Sequence, residues 1–503
     1  MRFGRIGTLL TTFVLVGGGL IAGCTANPQP TTSSSVGPAA GSPAPSVTPA
    51  VANGTPEGSP SSPGPTAQAT APEPSGTPTA LPASSPVLAE LPVRESAEYW
   101  GDLARMAPGP AGGLYVLIPT DRGSVVVLLD STGKPRPGWP MALADTFCYL
   151  PAPAADGTIR VVCAPGSDPV SRAYAFTPDG RLMAGWPVEF PGQVWAAPRV
   201  VDSHLLVMAY GNPGALWLVA VAPDGTLRTG TPYESPDPSR QDWRAQLGPD
   251  GTGYLLALPP DIATGYTEIT AFDLDGVRPG WLARAKGWSS DLVFGPEGRI
   301  YVSQGQEGQR PSRILVFDHD GRSLPVGSGA LPVAATSAYR GAGPLGGPPP
   351  PVVAEDGTSF FVSEDGGTTA YGLDPSGRVM AGWPYRDTIG LQWGYCAPGA
   401  TGCGVWRTSP AVGPGDFLYL LHPPRDKTVG GSIIAIGPDG RIRPGWPVVL
   451  ARAGAEFRSA VVGPDGTAYA VAVEPEGGGH YSATLLAIAP DGTARYRTVI
   501  VEP

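Results

Sequence analysis

The sequence I-G-P-D-G-R-I-R-P-G-W-P-V, from Ile436 to Val448, is the unit in which most of this chain is written. Close copies occupy Phe176 to Val188, Leu373 to Pro384 and Leu129 to Pro140, and more divergent copies begin at Val221, Phe272, Phe317 and Ile488. Their turn glycines recur about 45 to 63 residues apart, at Gly133, Gly180, Gly225, Gly276, Gly321, Gly377, Gly440 and Gly492. This period indicates a propeller or another repeat array.

Each copy carries the signals of two short strands joined by a tight turn. An apolar run such as Ile433 to Ile436 precedes the turn and is too short for a helix, so it indicates a strand. The Asp-Gly pair predicts a hairpin, because glycine adopts positive φ freely and aspartate tolerates it. A second strand follows the turn and ends in Gly-Trp-Pro. Since proline has no amide to donate, we expect this strand at the edge of a sheet.

A second series of tight turns alternates with the first. Its members are Gly109 to Gly113, Asp156-Gly157, Asp202-Ser203, Asp250-Gly251, Glu297-Gly298, Asp356-Gly357, Gly415-Asp416 and Asp465-Gly466. Each repeat therefore holds four strands, predicted in the last repeat at Ser459 to Val462, Thr467 to Val473, Ser482 to Ile488 and Thr493 to Val501. Four-stranded units at this period are typical of propeller blades. The sequence predicts an all-β fold, an eight-bladed β-propeller of four-stranded antiparallel blades, with seven blades as the alternative.

The first 86 residues lie outside the repeats. Arg2 and Arg5 precede an apolar stretch that closes with Ile21-Ala22-Gly23-Cys24, which predicts a secretory signal over residues 1–23. These residues resemble the bacterial lipobox, and the resemblance implies cleavage before Cys24 and a lipidated sulfur. A plain signal peptide and a retained membrane helix are the alternatives. Residues 24–86, rich in Pro, Ser, Thr and Ala, predict a disordered stalk, and residues 87–503 the propeller domain. We therefore expect a membrane-anchored lipoprotein of the cell envelope, outside the cytoplasm.

Charge and cysteine content narrow the partners and the compartment. A formal net charge of -10 argues against nucleic acid, which selects a basic surface. Four cysteines form two local pairs, Cys148 with Cys163 and Cys396 with Cys403, which predict two disulfides in an oxidising compartment. Free buried thiols are the alternative. The histidines are scattered and none lies near a cysteine pair, so no metal site is predicted. We expect a monomer.

One copy of the repeat resembles a known family. Leu129-Asp130-Ser131-Thr132-Gly133-Lys134 is similar to the repeats of bacterial quinoprotein-like (PQQ-like) propellers, which include the outer-membrane-assembly lipoproteins. The resemblance implies a propeller fold but no single function, because proteins of this kind include enzymes and scaffolds. The cofactor-dependent members use adjacent cysteines and a calcium site with asparagine. This chain has no Cys-Cys pair, and Asn212 is the only asparagine after the stalk. No cofactor is therefore predicted.

The two ends of the predicted ring differ. In a four-stranded meander all the tight turns above fall on one face, here named the plain face. The opposite, elaborated face receives the remaining connections, including Ala164 to Ser171, Pro259 to Thr267, Gly305 to Ser312, Val333 to Pro351, Tyr385 to Thr408, His422 to Ser432 and Glu474 to Ser482. Long loops on a rigid scaffold often carry binding groups, so the elaborated face is the expected working surface.

Aromatic and arginine side chains recur where the innermost strands begin on the elaborated face. The candidate ligand-binding residues are Trp195, Arg199, Trp243, Arg244, Trp406, Arg407 and Arg458. Aromatic faces stack on sugars or cations, and arginine pairs with carboxylate or phosphate, so such a ring would suit an anionic glycan or an acidic peptide. The alternative is that the aromatics pack between blades and the arginines are paired internally. The tryptophans of Gly-Trp-Pro are interpreted as structural.

Two classes of function follow. The preferred one is a lipid-anchored binding or scaffolding module that contacts cell-wall glycan or an envelope protein. The alternative is a polysaccharide hydrolase or lyase that uses carboxylates with His422 or His480. Asp273-Leu274-Asp275-Gly276 and Asp318-His319-Asp320-Gly321 look like fragments of calcium loops but lack the downstream glutamate, so plain turns are expected. No catalytic residue is assigned.

Overall fold

The computed structural model describes residues 105–501 apart from 121–122, 146–147, 165–169, 195, 212–214, 234–242, 260–264, 307–308, 326–349, 365–366, 392–409, 427 and 478–479. Within these residues eight antiparallel sheets follow one another along the chain as the blades of a β-propeller. The prediction of an all-β, eight-bladed ring is confirmed. The helices described are two single 3-10 turns, Pro110–Gly112 and Pro296–Gly298, and none in this part is long and apolar enough to cross a membrane.

The strands of each blade run in chain order from the channel outward. Blades 1 to 4 consist of β1 to β4 (Arg105–Pro108, Leu114–Thr120, Gly123–Leu129, Met141–Leu143), β5 to β8 (Ala152–Pro153, Ile159–Cys163, Val170–Phe176, Val188–Pro191), β9 to β13 (Gln193–Val194, Arg199–Val201, His204–Gly211, Ala215–Val221, Leu227–Thr229) and β14 to β17 (Trp243–Leu247, Gly253–Ala257, Tyr266–Asp273, Gly276–Lys286). Blades 5 to 8 consist of β18 to β22 (Trp288–Ser289, Val293–Phe294, Ile300–Gln306, Gln309–Phe317, Ser323–Leu324), β23 to β26 (Val352–Val353, Ser359–Glu364, Thr368–Leu373, Tyr385–Arg386), β27 to β30 (Ala411–Gly413, Phe417–His422, Ser432–Ile436, Val448–Val449) and β31 to β34 (Glu456–Val462, Ala468–Gly477, His480–Ile488, Ala494–Val501). In blades 3 and 5 the innermost strand is split in two, since β9 and β10 both pair with β11 and β18 and β19 both pair with β20.

The strand after the Asp-Gly turn differs from its prediction in extent. It was expected to run up to Gly-Trp-Pro, but in blade 7 only a single bridge, Ile436 with Ile442, follows the turn. The amide of Trp446 then donates to the carbonyl of Arg443 at 3.1 Å, and β30 begins after the proline. Its place at the sheet edge agrees with the prediction, because proline can stand only where no ladder bond is required.

The tryptophan of Gly-Trp-Pro, or of Gly-Trp-Leu in blade 4, joins blades 1, 2, 4, 6 and 7 to the blade that follows. The indole Nε1 of Trp446 donates to the carbonyl of Pro490 in the turn of blade 8 at 3.1 Å. The same bond, at 2.8 to 3.0 Å, links Trp139 with Pro178, Trp186 with Pro223, Trp281 with His319 and Trp383 with Pro438. All five indoles are buried. They pack at the seams between blades, which accounts for their fixed place in the repeat.

An aromatic residue near the start of the second strand packs against this tryptophan within the same blade. Tyr419 of blade 7 meets Trp446 edge-on, with ring centroids 5.5 Å apart. Tyr115 with Trp139 and Tyr254 with Trp281 are pairs of the same kind, and Phe360 meets Trp383 at a tilt of 49°. The hydroxyl of Tyr115 also donates to the carbonyl of Gly157 in the next blade at 2.8 Å. Burial raises the pKa of Tyr115 to about 12.

Blade 2 departs from this pattern. The side chain at the equivalent position is Arg160, which is fully buried and lies 5.7 Å from the centroid of the Trp186 ring. One of its nitrogens donates to the Thr158 hydroxyl, and its Nε and Nη2 atoms have no hydrogen-bond partner. Burial lowers the pKa of this guanidinium. A buried cation without a carboxylate partner costs stability, so blade 2 carries a local defect in the repeat.

The ring closes by packing and not by exchange of a strand. All four strands of blade 8 come from residues 456–501 and all four strands of blade 1 from residues 105–143. The hydroxyl of Tyr469 donates to the carbonyl of Gly112 at 3.0 Å, and the hydroxyl of Thr498 donates to the carbonyl of Gly133 at 3.0 Å. Tyr496 packs against Gly133, so the last blade uses this tyrosine and Thr498 at the place where other blades use tryptophan.

Candidate functional site

The turns of the plain face are held by their own aspartates. In Asp465-Gly466-Thr467, the amide and hydroxyl of Thr467 donate to the Asp465 carboxylate at 3.1 and 2.7 Å. In Asp491-Gly492-Thr493, the same two donors on Thr493 lower the pKa of Asp491. These carboxylates are occupied by local bonds, which explains why the turns can be short and uniform.

The two segments that look like calcium loops are turns of this kind. Asp318 accepts hydrogen bonds from the amides of Asp320 and Arg322, and the carboxylate of Asp320 pairs with the Arg322 guanidinium at 3.0 Å. The amide of Asp275 likewise donates to Asp273. In the part of the chain that the structure describes, no three His, Cys, Asp or Glu side chains are grouped closely enough to hold a metal ion.

On the elaborated face, one of the two predicted disulfides is present. The sulfurs of Cys148 and Cys163 are 2.02 Å apart, and both residues are buried. The disulfide joins Cys148, in the connection that enters blade 2, to Cys163 at the end of the second strand of that blade. The backbones of the same two residues also form an isolated antiparallel β-bridge. Cys396 and Cys403 lie outside the described residues.

The candidate ligand-binding residues fall into two groups. Trp195, Trp406 and Arg407 lie outside the described residues, and of Trp243 only the backbone, at the start of β14, is described. Arg199, Arg244 and Arg458 are described, and they lie on the innermost strands of blades 3, 4 and 8. Each of the three contacts a different residue: Phe294 for Arg199, Asp291 for Arg244 and Glu456 for Arg458.

Arg244 and Arg458 are engaged with carboxylates of the protein. Arg244 Nη1 lies 2.9 Å from Asp291 Oδ1, and this buried carboxylate stands where the innermost strand of blade 5 is interrupted. Gln246 accepts a hydrogen bond from the amide of Leu292 at 2.7 Å, so blade 4 fills the gap in blade 5. Arg458 Nη2 lies 2.9 Å from Glu456. These ion pairs support the interpretation that Arg244 and Arg458 are paired within the protein, and not the interpretation that they bind an anionic ligand.

Further ion pairs on the elaborated face were not found from the sequence. Asp145 accepts from Arg172 at 3.0 Å and from the Tyr174 hydroxyl at 2.6 Å. In blade 8 Arg452 pairs with Glu476 and Arg497 with Glu474. Their partners are distant in sequence, and only the position of Asp145, two residues past the outermost strand of its blade, could have indicated an interaction with the next blade.

The aromatic series at the inner strands includes one fully described member. Phe457, directly before Arg458, is completely buried in the core between blades 7 and 8. The Phe457 ring therefore packs between blades, which agrees with the alternative to ligand binding. The exposed apolar side chains of the elaborated face lie elsewhere, at Tyr266, Val429 and Tyr481, which are 49%, 41% and 37% exposed. No sequence signal distinguished these residues from the other apolar positions.

Two described histidines lie near a carboxylate: the exposed His319, 3.2 Å from Asp320 in a turn of the plain face, and the buried His422. The Nε2 atom of His422 lies 3.4 Å from Asp387 Oδ2, and that carboxylate also accepts from the Tyr385 hydroxyl at 2.7 Å and from the Ile389 amide at 2.7 Å. His422 is 1% exposed, on the second strand of blade 7, and Asp387 follows the outermost strand of blade 6. The cluster is thus in a blade seam and not at the channel mouth, which does not favour the hydrolase alternative. The side chain of His480 is outside the described part.

We predict that His422 makes stability depend on pH. Burial lowers the pKa of His422 below its ordinary value of 6.5, and the Asp387 carboxylate opposes this shift. At a pH between the pKa of His422 in the folded chain and its pKa in the unfolded chain, the unfolded chain binds more protons than the folded chain. The free energy of unfolding should therefore fall as the pH is lowered from 7.5 towards 5. Urea unfolding at pH 7.5 and at pH 5 should show a smaller fall in the free energy of unfolding for His422→Gln than for wild type. His204→Gln, at an exposed turn, is the matched control; equal pH dependence in His422→Gln and wild type would refute this origin.

Comparisons with known proteins identify no family for this chain. No family model and no curated protein matches the sequence. Solved structures similar to the chain include the β-propeller domain of the trilobed protease from Pyrococcus furiosus, at 12% identity and a TM-score of 0.38, covering 68% of this chain and 97% of that chain. A protein from Lactobacillus plantarum is 16% identical with a TM-score of 0.38, covering 76% and 94%. Prolyl oligopeptidase B from Galerina marginata is 11% identical with a TM-score of 0.40, covering 77% and 56%. At such values the similarity assigns no function to this chain.

Proposed function

We propose that this protein is a lipid-anchored binding or scaffolding module of the cell envelope, held at the membrane by Cys24 on the stalk of residues 24–86. The observation that carries the binding role is the difference between the two faces of the ring. The plain face consists of short turns whose polar groups are bonded internally. The opposite face carries the long connections. Exposed apolar side chains lie on both faces, at Tyr266, Val429 and Tyr481 on the elaborated face and at Leu182, Leu227, Val277 and Val379 beside turns of the plain face, so the difference lies in the connections.

A protein is the favoured partner. The arginines of the elaborated face that the structure describes in contact with carboxylates include Arg172, Arg244 and Arg458. A paired guanidinium must lose its partner before it binds a sulfate, phosphate or uronate, which reduces the gain from an anionic glycan. Exposed tyrosines beside paired charges are instead typical of protein interfaces.

Co-purification of the tagged full chain from solubilised envelope tests this proposal. Val429→Asp on the elaborated face should reduce recovery of the partner at least about tenfold, the equivalent of ~1.4 kcal/mol. Val379→Asp, at a similarly exposed valine next to a turn of the plain face, is the matched control. If Val429→Asp loses a bound glycan and not a bound protein, the partner is a glycan. Equal recovery of the partner by both variants would show that the elaborated face does not bind it.

Cys24→Ala should release the chain from the membrane if the anchor is correct.

A further inference from the structure

Asp387 lies in the seam between blades 6 and 7, near the elaborated face. Its carboxylate accepts hydrogen bonds from the Ile389 amide and the Tyr385 hydroxyl, both at 2.7 Å, and these two bonds hold it in place. His422 of blade 7 lies against it, with Nε2 3.4 Å from Oδ2. This nitrogen is buried and has no hydrogen-bond partner among the described residues. A buried polar atom without a partner is a weak point of a folded structure.

His422 also connects this seam to the exposed surface around Val429. It ends the second strand of blade 7, and the connection that follows carries Val429, which is 41% exposed. Arg425 in this connection donates to the Thr388 hydroxyl at 3.4 Å, one residue past Asp387 in blade 6. The connection and the end of blade 6 thus meet at a buried contact and at an exposed one. If the buried contact opens, the position of Val429 is less well fixed.

The charged and titratable groups described around His422 do not favour a charge on it. Besides Asp387 they are Tyr385, Arg386 and Arg425 on the side of blade 6, and Glu456 and Arg458 on the side of blade 8. The two arginines beside blade 6 repel an imidazolium, and Glu456 is already paired with Arg458 at 2.9 Å. Asp387 is the group among these that attracts the imidazolium directly.

Access of water therefore decides where the proton binds. His422 is 1% exposed in the closed seam, and an imidazolium at that depth loses most of its hydration. Burial accordingly lowers the pKa of His422, and attraction by Asp387 only partly offsets this effect. In an opened seam water reaches the ring and the proton binds with the ordinary pKa. Acid thus stabilises the open form relative to the closed form.

We propose that the seam between blades 6 and 7 is an acid-sensitive latch, in which protonation of His422 opens the two connections that meet there and releases a partner bound at Val429. The opening is local and precedes unfolding of the ring, which distinguishes it from the pH dependence of overall stability. This regulation rests on the proposed binding function of the elaborated face.

Hydrogen exchange of the full chain in detergent, followed by mass spectrometry at pH 7.5 and at pH 5, tests the opening. Protection is measured relative to an unstructured chain at the same pH. In wild type, protection of residues 385–391 and 418–426 should fall at least about threefold at pH 5, within a limit of about thirtyfold set by the ordinary pKa of histidine, 6.5. His422→Gln should keep this protection, and His204→Gln, at an exposed turn, should behave as wild type.

Tyr385→Phe provides an independent variant if His422→Gln does not fold. It removes the hydroxyl that donates to Asp387 Oδ2, so this oxygen is free to accept from a protonated His422. The loss of protection at pH 5 should then be smaller than in wild type. No local loss in wild type, a loss of the same size in every blade, or equal losses in wild type and a folded His422→Gln would overturn the latch.

Co-purification from solubilised envelope at the two pH values tests the release. After capture at pH 7.5, a wash at pH 5 should remove at least about threefold more partner from wild type than from His422→Gln. Equal retention by both, together with local loss of protection in wild type, would overturn the release and leave the opening. If no partner is captured at either pH, the proposed binding function is wrong, while the exchange result still decides whether the latch opens.

Discussion

Gly445→Ala should destabilise the propeller by about 3 kcal/mol or more. Gly445 precedes Trp446, has φ of 85°, and approaches blade 8 so closely that a Cβ atom would overlap the carbonyl oxygen of Asp491. An alanine at this position adds the strain of positive φ to a clash with backbone that cannot rotate away. The seam between blades 7 and 8 would have to open, and the Trp446 bond to Pro490 would be lost with it.

Gly280→Ala is the matched control for this prediction. Gly280 precedes Trp281 in the same motif and has φ of 75°, but no atom lies within 4 Å of the position that its Cβ would take. It should therefore show only the backbone strain, about 1 kcal/mol. Urea midpoints of the two variants measure the difference. Equal destabilisation would mean that the close approach between blades contributes nothing, and the seam described here would be wrong.

Arg160→Tyr should stabilise the protein by about 1 to 3 kcal/mol. The change removes a buried guanidinium with two unpaired nitrogens and restores the ring that packs edge-on against tryptophan in other blades. Most single substitutions in a core destabilise, so a rise in the midpoint of unfolding would be a specific result.

Two further variants, Arg160→Ala and Tyr419→Arg, test whether the buried guanidinium is what lowers stability. Arg160→Ala should destabilise, because it removes the charge but leaves a cavity beside Trp186. Tyr419→Arg creates in blade 7 the arrangement of blade 2 and should lower the midpoint. A lower midpoint for Arg160→Tyr than for wild type would show that the guanidinium is satisfied in a way that its contacts do not reveal.

The repeated residues made much of the fold predictable. Asp-Gly pairs fixed the turns, and in blade 8 the strand expected at Ser482 to Ile488 is observed at His480–Ile488. The tryptophan of Gly-Trp-Pro was recognised as structural because it recurs at one place, but its hydrogen bond across the seam involves the carbonyl of the next copy, Pro490 for Trp446. A pattern that repeats locally predicts local structure well, and contacts between copies only in outline.

The candidate site was less predictable for a physical reason. The sequence marks Arg244 as a cation near the channel but not the carboxylate that neutralises it, since Asp291 belongs to another blade. Glu456, which pairs with Arg458, lies two residues away on the same strand and could have been noticed. The closure of the ring depended in the same way on a contact between Thr498 and Gly133, which are far apart in the chain. Arg160 could have been noticed by aligning the second strands, where Tyr115 and Tyr469 hold the equivalent position.

Site-specific photo-crosslinking in intact cells tests the central claim, that the elaborated face is the working surface. A photoreactive residue at Val429 or at Val379 replaces a valine of similar exposure, 41% and 47%, on opposite faces of the ring. We expect a discrete crosslinked envelope protein from position 429 and none from position 379. Crosslinks from position 379 alone, or the same products from both positions, would contradict the assignment.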